Sequence, residues 1–305
     1  YVADRWSTIL SGSTAAISRQ SFTLGQTDVP GEPDYYHRTV VTSSAGASNY
    51  AITLQRIESV KTLAGQTATL SFWAKADASK NMAVEFAQNF GTGGSPSTQV
   101  NTIGVTTIAL TTSWQKFTVT VDVPSISGKT LGTNNNDYLF ISFWFDAGSN
   151  YDSNTNTLGQ QSGTFDIARV QLEAGDVATP FEERPIGTEL ALCQRYFAKT
   201  FPLGTVPANN AGLSGAIIKN TGTFSTASAL TARWQFPVAM RAAPTITLYN
   251  PGSGTAGYWG DAFGGAPTYN PGNPIPTETS MLLASASGAG TTFTPAIHAT
   301  ANAEL

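Results

Sequence analysis

The chain has 305 residues, of which 41% are hydrophobic and only 12% charged, so it can bury one large or two ordinary cores beneath a surface of mostly uncharged polar groups. The net charge of -4 offers no basic field for a nucleic acid, and the most apolar run, residues 138–145, is far shorter than the roughly 20 residues of a membrane-spanning helix. The single Cys193 and two isolated histidines, His37 and His298, exclude an intramolecular disulfide framework and argue against a zinc centre.

The first half of the chain predicts an antiparallel β structure. Short runs of alternating apolar and polar residues are separated by Gly, Asn and Pro clusters, which is typical of a sandwich or barrel. Strands are predicted at residues 50–57, 67–76, 82–90, 114–123, 138–146 and 164–173. The long connections at 91–99, 132–137 and 148–163 are rich in Gly and Asn, and connections of this length are usually binding loops or mobile segments.

The tripeptide Ser-Phe-Trp occurs in two of these strands, at 71–73 and 142–144. Side chains alternate along a strand, so the stripes containing Phe72 and Phe143 are predicted to face the core, while Trp73 and Trp144 face outward. A tryptophan face suits the apolar side of a sugar ring, and neighbouring carboxylate and amide groups can bind its hydroxyls. By the same alternation, and with one loop residue added, the candidate sugar-binding residues are Trp73, Trp144, Lys75, Glu85, Gln55, Asp146 and Tyr151.

Both tryptophans also have a simpler interpretation, because Trp is more often packed than ligand-bearing. They would then belong to the core, lie beneath a loop or form a subunit interface. Asp166 and Glu173, on the strand predicted at 164–173, are candidate ligands for a structural calcium ion, although ordinary surface carboxylates are the favoured explanation. No other cofactor is expected.

Residues 188–195 predict a short helix: Thr188 can cap the first turn, and Leu190, Cys193 and Phe197 recur at helical spacing. Cys193 is expected to be a small buried hydrophobe. Strand patterns resume at residues 215–220, 230–238, 245–250 and 279–286. A Gly- and Pro-rich stretch at 251–276 separates the last two of these strands. The chain is therefore predicted to be all-β, with an antiparallel jelly-roll sandwich over residues 1–185, a helical junction over 186–197 and a smaller β-sandwich-like domain over 198–305.

Residues 165–197, "FDIARVQLEAGDVATPFEERPIGTELALCQRYF", resemble the junction segment of tail fibre and receptor-binding proteins of tailed bacteriophages. The motifs "ADRW" at 3–6, "TATLSFWAKA" at 67–76 and "W..FTVTV" at 114–121 are similar to the carbohydrate-binding-module-like jelly roll of the same proteins. Residues 200–305 resemble them only loosely, through 236–247 and 298–305. The resemblance implies a virion tail location outside the cell, a bacterial surface polysaccharide as ligand, a homotrimer, other tail proteins as partners, and a C-terminal domain used for trimerisation or as a receptor tip.

Three functions are compatible with these features. A noncatalytic receptor-binding module for host attachment is favoured, because the sequence shows no nucleophile elbow, phosphate loop or zinc-protease motif. A fragment of a polysaccharide depolymerase tail spike, with its catalytic part elsewhere, is the second. A purely structural trimerisation module is the third. Since the sequence opens at Tyr1 without a methionine, it is expected to be a fragment or a processed product.

Overall fold

The computed structural model describes residues 6–219, 222–224, 229–262, 270–286 and 291–305. Three of the sequence features above lie partly outside the described residues. They are the start of the chain with the first three residues of "ADRW", residue 220 of one predicted strand, and residues 263–269 of the Gly- and Pro-rich stretch. Contacts divide the chain into two compact units, Tyr1–Glu183 with Leu305, and Arg184–Glu304.

The first unit is built almost entirely from strands. They are β1 Trp6–Ser11, β2 Thr14–Ser21, β3 Tyr35–Thr42, β4 Tyr50–Glu58, β5 Thr67–Ala76, β6 Lys80–Asn89, β7 Val100–Leu110, β8 Gln115–Asp122, β9 Tyr138–Ala147 and β10 Gly163–Ala174. A single helical turn at Ser149–Tyr151 and the short helix α1, Asp152–Thr155, interrupt the connection between β9 and β10.

These strands form two five-stranded sheets, in the orders β1-β4-β9-β6-β7 (the first sheet) and β2-β3-β10-β5-β8 (the second sheet). Neighbouring strands in both sheets pair antiparallel. The prediction of an all-β jelly-roll sandwich is therefore confirmed.

The core lies between the two sheets and follows the predicted alternation. Phe72 from the second sheet and Phe143 from the first are both fully buried, and their rings meet edge to face at 5.0 Å between centroids. Ile141 and Phe145 extend the stripe on β9, and Leu70 extends it on β5. The core assignments made from strand parity at these positions are confirmed, and each large side chain removed from such a core costs about 2–5 kcal/mol.

The second unit begins with a helix, α2, which spans Ile186–Gln194. Its strands are β11 Phe197–Lys199, β12 Ile217–Ile218, β13 Gly222–Phe224, β14 Ala229–Gln235, β15 Thr245–Tyr249, β16 Gly260–Asp261, β17 Ile275–Pro276, β18 Ser280–Ala286, β19 Thr291–Phe293 and β20 Pro295–Asn302. The strand β20 organises this unit, because β11, β12, β15 and β16 all pair with it. In the described part of the chain, no helix combines the length and apolar character needed to cross a bilayer.

The helix prediction was right in position and wrong in detail. The N-cap is Pro185, which makes no side-chain cap; Thr188 instead donates its backbone N–H to the Pro185 carbonyl. Phe197 lies on β11 and is 38% exposed, and Leu190 and Cys193 are half-buried. Cys193 was expected to be a small buried hydrophobe, and that prediction is wrong, because the side chain is half-buried.

His298, on β20, is a buried titratable group of the second unit. Its Nε2 donates to the Gly212 carbonyl at 2.9 Å, which leaves Nδ1 to accept from the Thr200 hydroxyl at 2.9 Å. The ring stacks on Phe201 at 4.0 Å between centroids. Burial lowers the pKa of His298 below its ordinary 6.5, and the bond to Gly212 partly opposes this.

We expect acid to destabilise the second unit through this histidine. Between pH 6.5 and the lowered folded pKa, the unfolded chain binds a proton that the folded chain does not, so the free energy of unfolding falls as the pH falls through that window. Hydrogen exchange of the β20 amides, followed from about pH 7.5 to about pH 5.5, measures it. His298→Asn should flatten the dependence, and a protection of β20 that rises with acid would contradict the prediction.

Candidate functional site

A cleft of about 340 Å³ lies on the outer face of the first sheet, away from the core. Its floor is aliphatic and comes from β1 and β4: Ile9, Ile52 and Leu54. Its aromatic residues are Tyr138, Phe140, Trp144 and Tyr151, and its polar residues are Arg56, Glu85, Gln99, Asn101, Ser142 and Asn154. We call this set of residues the cleft.

The aromatic column of the cleft follows from strand alternation along β9. Tyr138, Phe140, Ser142 and Trp144 are two residues apart and share the outer face, opposite Ile141 and Phe143 in the core. Tyr138 and Phe140 are half-buried and lie 5.8 Å apart between ring centroids. They present the accessible aromatic surface of the column.

Trp144 is almost enclosed and is 5% exposed. Tyr50 and Tyr151 pack against its ring at 5.7 and 5.3 Å between centroids, and Leu158 adds to the same cluster. Trp144 therefore lies beneath a loop, which is the simpler of its two interpretations. Tyr151, from that loop, lines the cleft.

Glu85 holds the inner wall of the cleft together. Its carboxylate accepts hydrogen bonds from Trp144 Nε1 at 2.9 Å, from Asn154 Nδ2 at 2.7 Å and from the Thr102 amide at 2.9 Å. Burial raises the pKa of Glu85, and the hydrogen bonds from Thr102, Asn154 and Trp144 partly oppose that effect. Because its oxygens are already engaged, Glu85 positions the tryptophan and α1 rather than offering a free carboxylate.

The polar rim is supplied by amide side chains of β6, β7 and the loop between them. Asn89 donates to Gln99 at 2.6 Å, and Gln99 donates to the Asn101 carbonyl oxygen at 2.5 Å. This relay orients the exposed Asn101 so that its NH₂ group, which makes no hydrogen bond to the described protein, can donate into solvent or to a ligand.

The loop over the cleft is held tightly at its start by Gly148. The Gly148 amide donates to the Asn49 carbonyl at 2.8 Å. A Cβ at this position would lie 2.3 Å from the Gly46 carbonyl oxygen and 2.4 Å from that of Ala47. Only glycine allows the backbone to approach this closely, so the residue fixes where the turn carrying Tyr151 begins.

Gly148→Ala is expected to destabilise the first unit by about 1–3 kcal/mol, because two backbone carbonyls must move to admit the methyl group. Tyr151 should shift with them and weaken ligand binding at the cleft. Chemical denaturation measures the first effect. Gly187→Ala in α2, where a Cβ meets nothing within 4 Å, should be neutral or slightly stabilising. Equal effects of the two substitutions would contradict this account.

The predicted platform that united Trp73 with Trp144 is wrong. Trp73 and Lys75 are on β5 of the second sheet, which pairs with β8 and β10, whereas Trp144 and Glu85 are on the first sheet. Since each tryptophan faces away from the shared core, the two rings lie on opposite faces of the sandwich. The Lys75 amine lies 5.2 Å from the Trp114 ring centroid and 3.9 Å from the Asp166 carboxylate.

Two further candidates face away from the cleft. Gln55 pairs with Ile141 and so shares the inward face, while its neighbours Ile52 and Leu54 face the cleft, the reverse of the prediction. The pairing of β4 with β9 shifts register between Ala51 and Ile52, because β9 contains one extra residue there. Asp146 therefore pairs with the core residue Ala51 and does not follow the outward alternation of Trp144.

Asp146 is therefore fully buried, and its carboxylate is engaged within the protein. It accepts from the hydroxyls of Ser13 at 2.6 Å and Ser43 at 2.8 Å, and from the Gln161 amide at 2.8 Å. Its role is to join three connections at the end of the sandwich, and it does not face the cleft.

The carboxylates proposed for calcium do not come together. Asp166 pairs with Lys75 and Glu173 with Thr69, six strand positions apart, which separates them by about 20 Å. The buried Asp166 carboxylate instead takes a bidentate pair of hydrogen bonds from Arg38, at 2.7 and 2.8 Å. Among the described residues, no group of three or more His, Cys, Asp or Glu side chains is arranged to hold a metal ion.

Several cleft residues escaped the sequence analysis. Tyr138 and Phe140 carried a usable signal, because they alternate in phase with Trp144 on β9. Arg56 alternates in phase with Ile52 and Leu54 on β4, and all three line the cleft. The sequence alone did not place Arg56 there, because Ile52 and Leu54 were expected to face the core. Gln99, Asn101 and Asn154 lie in polar segments of no regular alternation, so only the fold brings them to the cleft.

Comparison with known proteins found no matching protein-family model and no matching curated protein. Among solved structures, the chain is similar to a family 4 carbohydrate-binding module at 20% identity and a TM-score of 0.35, covering 56% of this chain and 88% of that one. It is similar to a family 11 carbohydrate-binding module from Clostridium thermocellum, in complex with a β-1,3-1,4-mixed-linked tetrasaccharide, at 14% identity and a TM-score of 0.35, covering 55% and 88%. The enzymatically active domain of tailspike protein 4 of bacteriophage CBA120 is similar at 14% identity and a TM-score of 0.34, covering 56% of this chain and 19% of that one.

Proposed function

We propose that the chain is a noncatalytic receptor-binding module of a phage tail fibre or tail spike, and that its cleft binds a bacterial surface polysaccharide during host attachment. The observation that carries the proposal is the combination within one groove of accessible aromatic rings, Tyr138, Phe140 and Tyr151, with a positioned amide donor, Asn101. The phage context is supported by the sequence resemblance of residues 165–197 and of the jelly-roll motifs.

The chemistry of the cleft suits a sugar chain. Aromatic faces pack against the C–H surface of a pyranose ring, while directional donors and acceptors select its hydroxyls. Glu85 and the Gln99–Asn101 relay hold the polar groups before a ligand arrives, which reduces the entropy lost on binding.

The noncatalytic assignment is supported by the carboxyl groups of the cleft. Glycosidases usually work with a pair of carboxylates across the scissile bond. Among the described residues that line the cleft, Glu85 is the one acid, and three hydrogen bonds engage it. This arrangement favours binding over hydrolysis.

A homotrimer, docked to other tail proteins, is part of the proposal, with residues 198–305 as the trimerisation or receptor-tip domain. Single sugar sites are weak, and three sites on one rigid assembly raise avidity by factors on the order of a hundred or more when they engage together. Sedimentation equilibrium of the full chain tests the oligomer, and a monomer at all concentrations removes this part while leaving the cleft proposal standing.

Binding of the full chain to purified host polysaccharide tests the cleft. Phe140→Ala and Asn101→Ala are each expected to weaken binding roughly five- to tenfold, since each removes about 1 kcal/mol of contact. Trp73→Ala is the matched control, because it removes a half-buried aromatic from the outer face of the other sheet. Loss of binding in Trp73→Ala with none in Phe140→Ala would move the site to the second sheet.

The same preparation separates the alternatives. Release of reducing ends from the polysaccharide would favour the depolymerase fragment. A failure to bind any glycan on a broad array, at high protein concentration, would favour the purely structural trimerisation module.

A further inference from the structure

A second cavity, of about 270 Å³, lies at one end of the space between the two sheets. The first sheet contributes Trp6 and Phe143 to its wall, and the second sheet contributes Ile167. Phe181, from the segment after β10, lies at its edge and is 37% exposed. Protein interiors contain few voids larger than a water molecule, so an apolar cavity of this size at the end of a well-packed core suggests a space for a ligand.

Arg19, an exposed residue of β2, also lines this cavity. The guanidinium lies 4.1 Å from the ring centroid of Tyr35, which also lines the cavity. No carboxylate among the described residues forms an ion pair with it. A guanidinium stacked on an aromatic ring keeps its edge donors free for a carboxylate.

Arg169 supplies a second, independent indication. It lies in the irregularity of β10 between Ala168 and Gln171, with a left-handed φ of 50°. Its side chain is 10% exposed, and its Nη2 donates to the Gly31 carbonyl at 2.9 Å and to the Glu183 carboxylate. Its buried Nε has no hydrogen-bond partner. A buried guanidinium N–H without an acceptor is costly and rare.

The backbone around Arg169 is shaped to hold this side chain. Gly31 has a φ of 76°, and a Cβ there would lie 2.4 Å from Arg169 Nη2. The guanidinium is thus fixed by a carbonyl and a carboxylate, and Arg169 forms part of the cavity wall.

We propose that this inter-sheet cavity binds a small amphiphilic carboxylate, with its aromatic or aliphatic body between the two sheets and its carboxylate beside Arg19 and Arg169. The site is separate from the cleft, since its walls come from the inner faces of the sheets. The apolar lining favours a singly charged carboxylate over a phosphate monoester, because burying a second charge adds a further desolvation cost.

Titration of the full chain with 3-phenylpropanoate, followed by protein NMR, tests the proposal. A dissociation constant on the order of 1 mM or tighter is expected for a ligand of this size. The matched neutral ligand, 3-phenylpropanamide, should bind at least about tenfold more weakly, because it forms no charge-assisted hydrogen bonds. Equal affinities, or no binding of the carboxylate, would overturn the proposal.

Variants locate the site. Arg19→Gln should weaken 3-phenylpropanoate binding by about tenfold to a hundredfold, and Lys61→Gln, which removes an exposed charge elsewhere on the same unit, should not change it. Val170→Trp, which fills the cavity, should abolish binding and tests the site independently of Arg19→Gln. If Arg19→Gln binds as the wild type does, or if Phe140→Ala in the cleft abolishes binding, the ligand is not in this cavity and the proposal fails.

Discussion

Trp144→Ala is expected to lower the free energy of unfolding of the first unit by about 3–5 kcal/mol, the cost of removing a large buried aromatic residue. The ring is 5% exposed and packs against Ile52, Leu54 and Ala83 from neighbouring strands. Its loss also leaves an oxygen of the buried Glu85 carboxylate without its donor. Urea denaturation, with the slope compared to that of the wild type, measures the change.

Trp73→Ala provides the contrast within the same tripeptide. Trp73 is half-buried on the outer face of the second sheet, so its replacement should cost about 1 kcal/mol or less. If the two substitutions destabilise the unit equally, the enclosure of Trp144 beneath the 148–163 loop is incorrect.

Because Trp144 supports the fold, its replacement does not isolate a binding role. A loss of glycan binding in Trp144→Ala would follow from a collapsed cleft as readily as from a lost contact. Phe140 lies on the same strand face and is half-buried, so Phe140→Ala tests the cleft with a smaller disturbance of the core.

The core of the sandwich could be predicted from the sequence because β5 and β9 alternate regularly. Leu70, Phe72, Ile141 and Phe143 all face the core as their parity required. Several strands of the first unit that the sequence analysis missed have weaker patterns: three of the six residues of β1 and three of the eight residues of β2 are Ser or Thr. In β7, Thr102 and Gly104 have positive φ angles and the pairing with β6 shifts register nearby, so alternation breaks down.

The sequence did not show which strands share a sheet. This is why the predicted site grouped residues that lie on different sheets. Trp73 and Trp144 have the same local pattern, yet they belong to different sheets because strand pairing depends on contacts distant in sequence. One inserted residue changed the facing of Asp146, and a one-residue change of parity moves a side chain to the other face of a sheet. Local periodicity therefore placed Trp73 and Trp144 on outer faces without showing that these faces belong to different sheets, and it placed Gln55 and Asp146 on the wrong face.

Asp146→Ala is expected to lower the free energy of unfolding by about 2–4 kcal/mol, because it leaves buried donors without their acceptor. The carboxylate accepts three hydrogen bonds. The donors are the hydroxyl of Ser13 in the turn between β1 and β2, the hydroxyl of Ser43 after β3, and the backbone N–H of Gln161 in the connection before β10. The serine hydroxyls can rotate towards other acceptors, whereas the Gln161 amide is fixed in the backbone, so the largest local effect is expected there.

The consequence reaches the cleft through the loop that carries Tyr151. Gln161 also donates its side-chain amide to the Phe145 carbonyl at 2.9 Å, so the end of the 148–163 loop is anchored to β9 at two points. Asp146→Ala removes one anchor and should increase hydrogen exchange across the loop and weaken glycan binding in parallel with stability. Asp152→Ala, an exposed carboxylate on the same loop, should leave both unchanged. If Asp146→Ala abolishes glycan binding while stability and loop exchange remain those of the wild type, then Asp146 contacts the ligand directly, and the buried network described above is wrong.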